Sequence, residues 1–199
     1  MTETVTLAPL PMPLRWELAP ENWSLGDGPA LTIGAGARSD MFVDPSGGAA
    51  VLNAPRLLGG ADGDFMLSAR VTVGFGATYD AGVLLLYNHE REWGKLCFEY
   101  SPQGQPMVVS VVTRGTSDDA NAFIVGGNQV WLRVARMGTA CAFHASTDGS
   151  YWQLIRHFAL EGPLAAGFEA QSPTGPGCSA TFDRIAFAPT RLRELRDGS

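Results

Sequence analysis

The stretch Trp93-Gly94-Lys95-Leu96-Cys97-Phe98-Glu99-Tyr100 decides the fold class. Successive side chains of an extended chain point to opposite faces, so Leu96, Phe98 and Tyr100 share one side and Lys95, Cys97 and Glu99 the other. The first face suits a core. The second raises a question, because a strand there carries an ammonium and a carboxylate. Just upstream, AGVLLLYNH (81–89) is apolar on both faces, as expected of a central strand covered on each side. Further on, CAFHASTDGSYWQLI (141–155) sets Asp148-Gly149 between two strand-like runs, a dipeptide that accepts the positive φ of a tight hairpin turn. The segment STDGSYW invites comparison with the Asp-box of sialidase-like propellers, but its spacing differs and it occurs once, so the hairpin reading is preferred.

The same punctuation runs through the chain. Its 24 glycines and 13 prolines fall mostly between short apolar runs, and helical periodicity is nearly absent. Strands are expected near 14–18, 30–34, 49–53, 64–74, 80–88, 93–101, 107–114, 130–136, 140–146, 152–158, 164–170 and 179–187. Only the tail LRELRDGS (192–199) reads as helical. Many short strands without βα alternation bury their apolar faces most simply as two packed antiparallel sheets. A length of 199 residues suits one domain, with a core over about 14–188 and a polar tail over 189–199.

Composition narrows the function classes. With 45% hydrophobic and 17% charged residues the chain should fold unaided. The net charge of −6 argues against nucleic acid or an anionic membrane as the main partner, since both reward clustered Lys and Arg. The N-terminal run lacks a basic segment followed by an apolar core, which points to a soluble, cytoplasmic protein. Cys97, Cys141 and Cys178 are widely spaced and are expected as free thiols.

The segments SDMF (39–42), GDF (63–65), YDAGVLLLYNHEREWGKLCFE (79–99), SVVTRGTSDD (110–119), WLRVAR (131–136), HASTDGSYW (144–152) and GFEAQSP (167–173) carry a family resemblance. In this order they resemble a family of uncharacterised domains with the concanavalin A-like lectin and glucanase jelly roll, some known as regulation-of-enolase-like. The resemblance spans about Trp16 to Phe187 and implies a two-sheet antiparallel sandwich with one concave sheet. It implies little chemistry. The family usually shows Asp-Gln-Ala-Gly, Asp-Phe-Trp and Ser-Asp-Trp where this chain has Tyr79-Asp80-Ala81-Gly82, Asp40-Met41-Phe42 and Ser117-Asp118-Asp119. Two tryptophans and an amide that could touch a ligand are therefore absent.

On that fold, Lys95, Cys97 and Glu99 would face a groove on the concave sheet, which answers the opening question. The plainer reading is a cross-strand ion pair on a solvated face, worth little energetically. Asp80 and Asp40 could join Lys95 and Glu99 as a polar cluster of the kind that reads sugar hydroxyls, with Tyr79, Phe42 and Trp93 offering ring faces for stacking. Turn capping competes for both acids, and for Asp44 it is favoured. Arg114, Ser117 and Asp118, in the loop-like segment TRGTSDDAN, add polar groups at the rim, and His144 could project into the groove.

Three functions follow. The preferred one is a non-catalytic binding module for a carbohydrate or sugar-like metabolite. A glycoside hydrolase or related enzyme needs two opposed carboxyls, and Glu99 with Asp80 is the nominated pair. An interaction module that regulates a metabolic enzyme is the third. No cofactor or metal is expected: the three histidines lack metal-ligand spacing, Asp62-Gly63-Asp64 lacks the further acids of a calcium loop, and phosphate-loop patterns are missing.

Overall fold

The computed structural model describes residues 4–199, and every regular element among them is a strand. The first half of the chain forms β1 (Thr4–Val5), β2 (Leu14–Leu18), β3 (Trp23–Leu25), β4 (Leu31–Gly36), β5 (Met41–Phe42), β6 (Val51–Leu52), β7 (Arg56–Gly60), β8 (Phe65–Val73) and β9 (Ala81–His89). The second half forms β10 (Glu92–Tyr100), β11 (Pro106–Arg114), β12 (Thr116–Ile124), β13 (Gln129–Met137), β14 (Ala140–Ser146), β15 (Gln153–Ala159), β16 (Ala165–Gln171) and β17 (Gly177–Ala188). They assemble into two large antiparallel sheets, as the strand pattern implied, in the jelly-roll sandwich that the family resemblance implied. One sheet has the order β1-β2-β7-β16-β9-β10-β11-β12, the other β15-β14-β13-β8-β17-β4-β3.

The alternation of β10 holds as read. Leu96 and Phe98 lie between the sheets with Leu84 and Leu86 of β9 and Phe168 of β16, against Val71 and Phe182 of the opposite sheet. The sheets approach so closely here that a Cβ on Gly82 would lie 2.7 Å from the Val71 side chain, which leaves room only for glycine. The Asp148-Gly149 hairpin also forms, joining β14 to β15, with Gly149 at φ 79° and the Asp148 carboxylate accepting from the amides of Ser150 and Tyr151.

Two departures bear on function. The chain between β4 and β7 crosses the outer face of the eight-stranded sheet and carries the small hairpin β5-β6. Met41 and Ala54 of this flap pack on Leu58, Leu85, Tyr87, Trp93 and Val111, which forms a second apolar cluster outside the inter-sheet core. The tail does not form the expected helix. Residues 192–199 make turns, and Leu192 packs with Ala135 and Ala142 of the seven-stranded sheet, alongside Leu195. No helix among the described residues is long and apolar enough to cross a membrane. Cys97 and Cys141 are buried free thiols, and Cys178 is a partly exposed one.

A candidate ligand pocket on the outer face of the eight-stranded sheet

Register determines what the outer face displays. Glu99 on β10 pairs with Ala81 of β9, which pairs with Gln171 of β16. One step along, Cys97, Val83 and Glu169 form the next row, and Lys95, Leu85 and Gly167 the one after. On the other side Lys95 pairs with Val111 of β11, which pairs with Asp119 of β12. These side chains all face away from the inter-sheet core because their positions share one parity.

Lys95 is almost completely buried on this face. Its ammonium donates to Gln171 Oε1 at 2.7 Å and to Asp40 Oδ1 at 3.4 Å. It therefore reaches back along the strand, over the Cys97 row, to a partner two rows away. Burial pushes the ammonium down, but Asp40 and then Glu169, Cys97 and Glu99 outweigh that effect and hold it above its ordinary range. Gln171 passes the chain of bonds on, donating from Nε2 to the Tyr79 carbonyl at 3.4 Å.

The carboxyls respond in the opposite sense. Burial raises Glu99 to about 8, with Lys95 pulling it down and Asp119, Asp40 and Glu169 adding to the rise. Burial likewise raises Glu169 to about 7 against the pull of Lys95 and Arg56. Glu169 is fully buried, and neither of its carboxylate oxygens has a hydrogen-bond partner. Burial raises Cys97 well above the usual thiol range. Partial enclosure raises Asp119, with Lys95 again opposing it.

Beside this cluster opens a pocket of about 270 Å³. Asp40, Glu99, Asp119 and Gln171 supply its polar wall. Phe42, Tyr79, Pro173 and Val111 supply the apolar one. Tyr79 holds φ at 71°, a conformation disfavoured for a bulky residue, and its amide donates to the Tyr100 carbonyl at 2.7 Å. Such strain persists only where surrounding bonds impose it, and it collects at functional sites. A wider hollow of about 490 Å³ lies by β4 and β17, but its walls are mostly glycine and alanine, with Glu21 as the sole carboxyl.

Several nominated residues lie elsewhere. Asp80 is buried and caps the turn before β9: Oδ2 accepts from the amides of Gly76 and Ala77, and Oδ1 from the Ser172 hydroxyl. It does not share the pocket with Glu99, and the nominated catalytic pair separates. Trp93 points to the outer face but is fully buried under the flap, so its ring is closed to a ligand. Ser117 accepts from the Val43 amide and donates its own amide to the Val43 carbonyl, which fastens the flap to β12. Asp118 turns to the opposite side of β12 from Asp119 and pairs with Arg156 at 2.6 Å. Arg114 is exposed next to Gly115, at the turn between β11 and β12. His144 belongs to the seven-stranded sheet, where its Nε2 lies 2.7 Å from the Leu195 carbonyl of the tail. Asp40, Phe42, Tyr79, Lys95 and Glu99 do come together.

Glu169 and Gln171 had escaped the reading of the sequence, and Asp119 stood in the rim segment TRGTSDDAN without being nominated. The first two alternate with the core residues Phe168 and Ala170 as Lys95 and Glu99 do with Leu96 and Phe98, so the same signal was present in GFEAQSP. Asp119 offered no such signal. Its strand β12 is an edge strand exposed along most of its length and without a regular apolar side, so it had read as a loop.

Fold and site together define a two-sheet jelly roll whose larger sheet carries a small, acidic, aromatic-walled pocket beneath a flap. The chain belongs to the DUF1349 family, described as a protein of unknown function, whose model matches residues 16–190. No curated protein matches the chain in sequence. Among solved structures, a functionally unknown protein from Saccharomyces cerevisiae superposes with a TM-score of 0.80 at 23% identity, covering 87% of this chain and 94% of that one. The GH43 BlXynB protein from Bacillus licheniformis gives a TM-score of 0.69 at 14% identity over 89% of this chain but only 37% of its own. An alginate lyase from Klebsiella pneumoniae gives 0.54 at 14% identity, covering 86% of this chain and 85% of its own. At these identities the likeness establishes the fold. The chain spans little more than a third of the GH43 protein.

Proposed function

We propose that the protein binds a small sugar or sugar-like polyol in the pocket beside Lys95, as a binding module. The observation that carries this reading is the composition of one cavity. Asp40, Glu99, Asp119 and Gln171 offer hydrogen-bonding groups opposite the ring faces of Phe42 and Tyr79, the division of labour that sugar hydroxyls and sugar ring faces require. At about 270 Å³ the cavity is slightly smaller than the roughly 300–1,000 Å³ that encloses a drug-sized ligand, so it suits a single ring better than a buried oligomer. The likeness in fold to carbohydrate-active proteins is consistent with a saccharide.

The test is a thermal-shift screen of the purified protein against mono- and oligosaccharides. A ligand present at a hundred times its dissociation constant stabilises a fold by about 2.7 kcal/mol, several degrees for a chain of this length. A saturating shift with a monosaccharide that Glu99→Gln abolishes, while the variant still melts cooperatively, supports the reading. No shift with any saccharide overturns it and directs the search to a protein partner, the role implied by the enolase-regulation likeness.

One observation favours a catalytic reading of the same pocket. Glu99, raised to about 8, holds its proton at neutral pH, as the general acid of a glycosidase or lyase must. Its partner would be Asp40 or Asp119, since Asp80 is committed to its turn. Release of reducing ends or unsaturated sugars, lost in Glu99→Gln, would establish this activity; saturable binding without product leaves the module as a binder.

A further inference from the structure

The outer face holds more acid than base. Asp40, Glu99, Asp119 and Glu169 all act electrostatically on the single ammonium of Lys95, which is already bonded to Asp40 and Gln171. Arg156 is engaged with Asp118, and Arg56, the cross-strand neighbour of Glu169, donates to the carbonyls of Leu52 and Ala54 while its Nε stays unpartnered, so it meets Glu169 by charge and not by a hydrogen bond. Three carboxyls, Asp40, Glu99 and Asp119, line the pocket itself, and behind its wall Glu169, fully buried in the row between Gln171 and Lys95, adds a fourth with both oxygens unpartnered. A buried, unpaired carboxylate is costly unless a positive charge or a proton satisfies it.

We infer that the ligand of this pocket carries a cationic nitrogen: an amino sugar or amino-polyol whose ammonium sits against Asp40, Glu99 and Asp119, with its ring edge toward Phe42 and Tyr79. The inference rests on the sugar-pocket reading and deepens it. A metal ion fits less well, because among the described residues no three His, Cys, Asp or Glu side chains converge tightly enough to hold one. An organic cation is larger, accepts dispersed carboxylates, and gains from the faces of Tyr79 and Phe42.

A pH signature follows. Glu99 and Glu169 are raised to about 8 and about 7, so each carries a proton over part of the neutral range. An arriving cation favours their ionised forms and drives protons off, so binding of a permanent cation tightens as pH rises from 6 to 9. Lys95 stays charged across that window, and Cys97 stays a thiol because burial holds it high. Asp119, also raised by burial, acts in the same direction as the two glutamates.

Isothermal titration of the intact protein with glucosamine, glucose and glucuronate compares one ring with three charges. A trimethylammonium derivative of glucosamine serves for the pH series, because its own charge does not titrate. The expected result is glucosamine at least about tenfold tighter than glucose at pH 8, no saturable glucuronate binding, and affinity for the trimethylammonium sugar rising between pH 6 and 9. Glu99→Gln and, on the exposed edge strand where folding is not at stake, Asp119→Asn should each weaken glucosamine severalfold more than glucose. Glucose binding as tightly as glucosamine, or glucuronate binding best, overturns the cation and leaves the sugar pocket standing. No binding of any of the three to a cooperatively folded protein overturns both.

Discussion

Asp80 and Glu169 are both fully buried carboxyls, one at the entrance to β9 and the other on β16, the strand that pairs with it. Their surroundings differ completely. Asp80 accepts two backbone amides and a serine hydroxyl, all of them local to the sandwich end, so its charge is satisfied by the fold. Glu169 accepts no hydrogen bond and is met only by the charges of Lys95 and of Arg56, its cross-strand neighbour. A carboxylate placed for stability is saturated by its own structure, and one left unsaturated among neighbours of like charge is of the kind that collects at functional sites.

The sharpest way to break this contrast is to remove the saturated member. Asp80→Ala strands two amides and a hydroxyl in a buried turn, and at about 1.5 to 3 kcal/mol for each hydrogen bond to a charged group it should cost on the order of 4 kcal/mol. Urea unfolding monitored by tryptophan fluorescence reads that loss; a change under 1 kcal/mol would mean the turn does not depend on its cap. Lys95→Met comes next, at about 3 kcal/mol near pH 8, because it leaves Asp40 and Glu169 without their counter-charge. The cost should shrink toward pH 5, where Glu169 holds a proton instead. A loss independent of pH would show that Lys95 stabilises by packing alone.

Glu169→Met should change stability at pH 7 by less than about 1 kcal/mol, since it removes an orphaned carboxyl along with its pull on Lys95. The equivalent change at Asp80 carries no such compensation. Should Glu169→Met prove as damaging as Asp80→Ala, Glu169 belongs to the framework and its unpaired oxygens lose their functional meaning.

The same pair shows how far the sequence was legible. Alternation through 93–100 read correctly which side chains leave the core, because the faces of a strand are a property of the chain itself. It could not say which strands stand beside β10. That order places β12 two strands away on one side through consecutive hairpins and β16 two strands away on the other from far along the chain, and so brings Asp119 and Gln171 to Lys95. Asp80 was misplaced for a related reason. An Asp before a strand looks the same in sequence whether it opens into a groove or folds back on Gly76 and Ala77, and the turn-capping alternative proved to describe it. Trp93 was read on the right face, but the flap that buries it packs from residues some fifty positions earlier.

The contrast is read last in the pH dependence of stability itself. Glu99 and Glu169 sit at about 8 and about 7 in the fold, against about 4.5 for an ordinary glutamate. Between those values the folded protein holds more protons than the unfolded chain. The protonated carboxyls therefore favour the fold fully below about pH 4.5, and that advantage is lost as pH rises through 7 and then 8. Each contributes at most about 1.4 kcal/mol per pH unit within its window, and Glu99 less, because its open side meets solvent in the pocket. Lys95 does not offset this, since its raised ammonium stays charged throughout. Melting temperature measured from pH 5 to 9 should fall up to about pH 8, with Glu169→Met reducing the slope below about pH 7 and Glu99→Gln also removing the part that persists to about pH 8. A flat profile would mean that the two acids are already ionised and balanced in the fold, and the distinction between Asp80 and Glu169 would collapse. A sloping profile that flattens when an aminated sugar saturates the pocket would show the arriving charge replacing those protons.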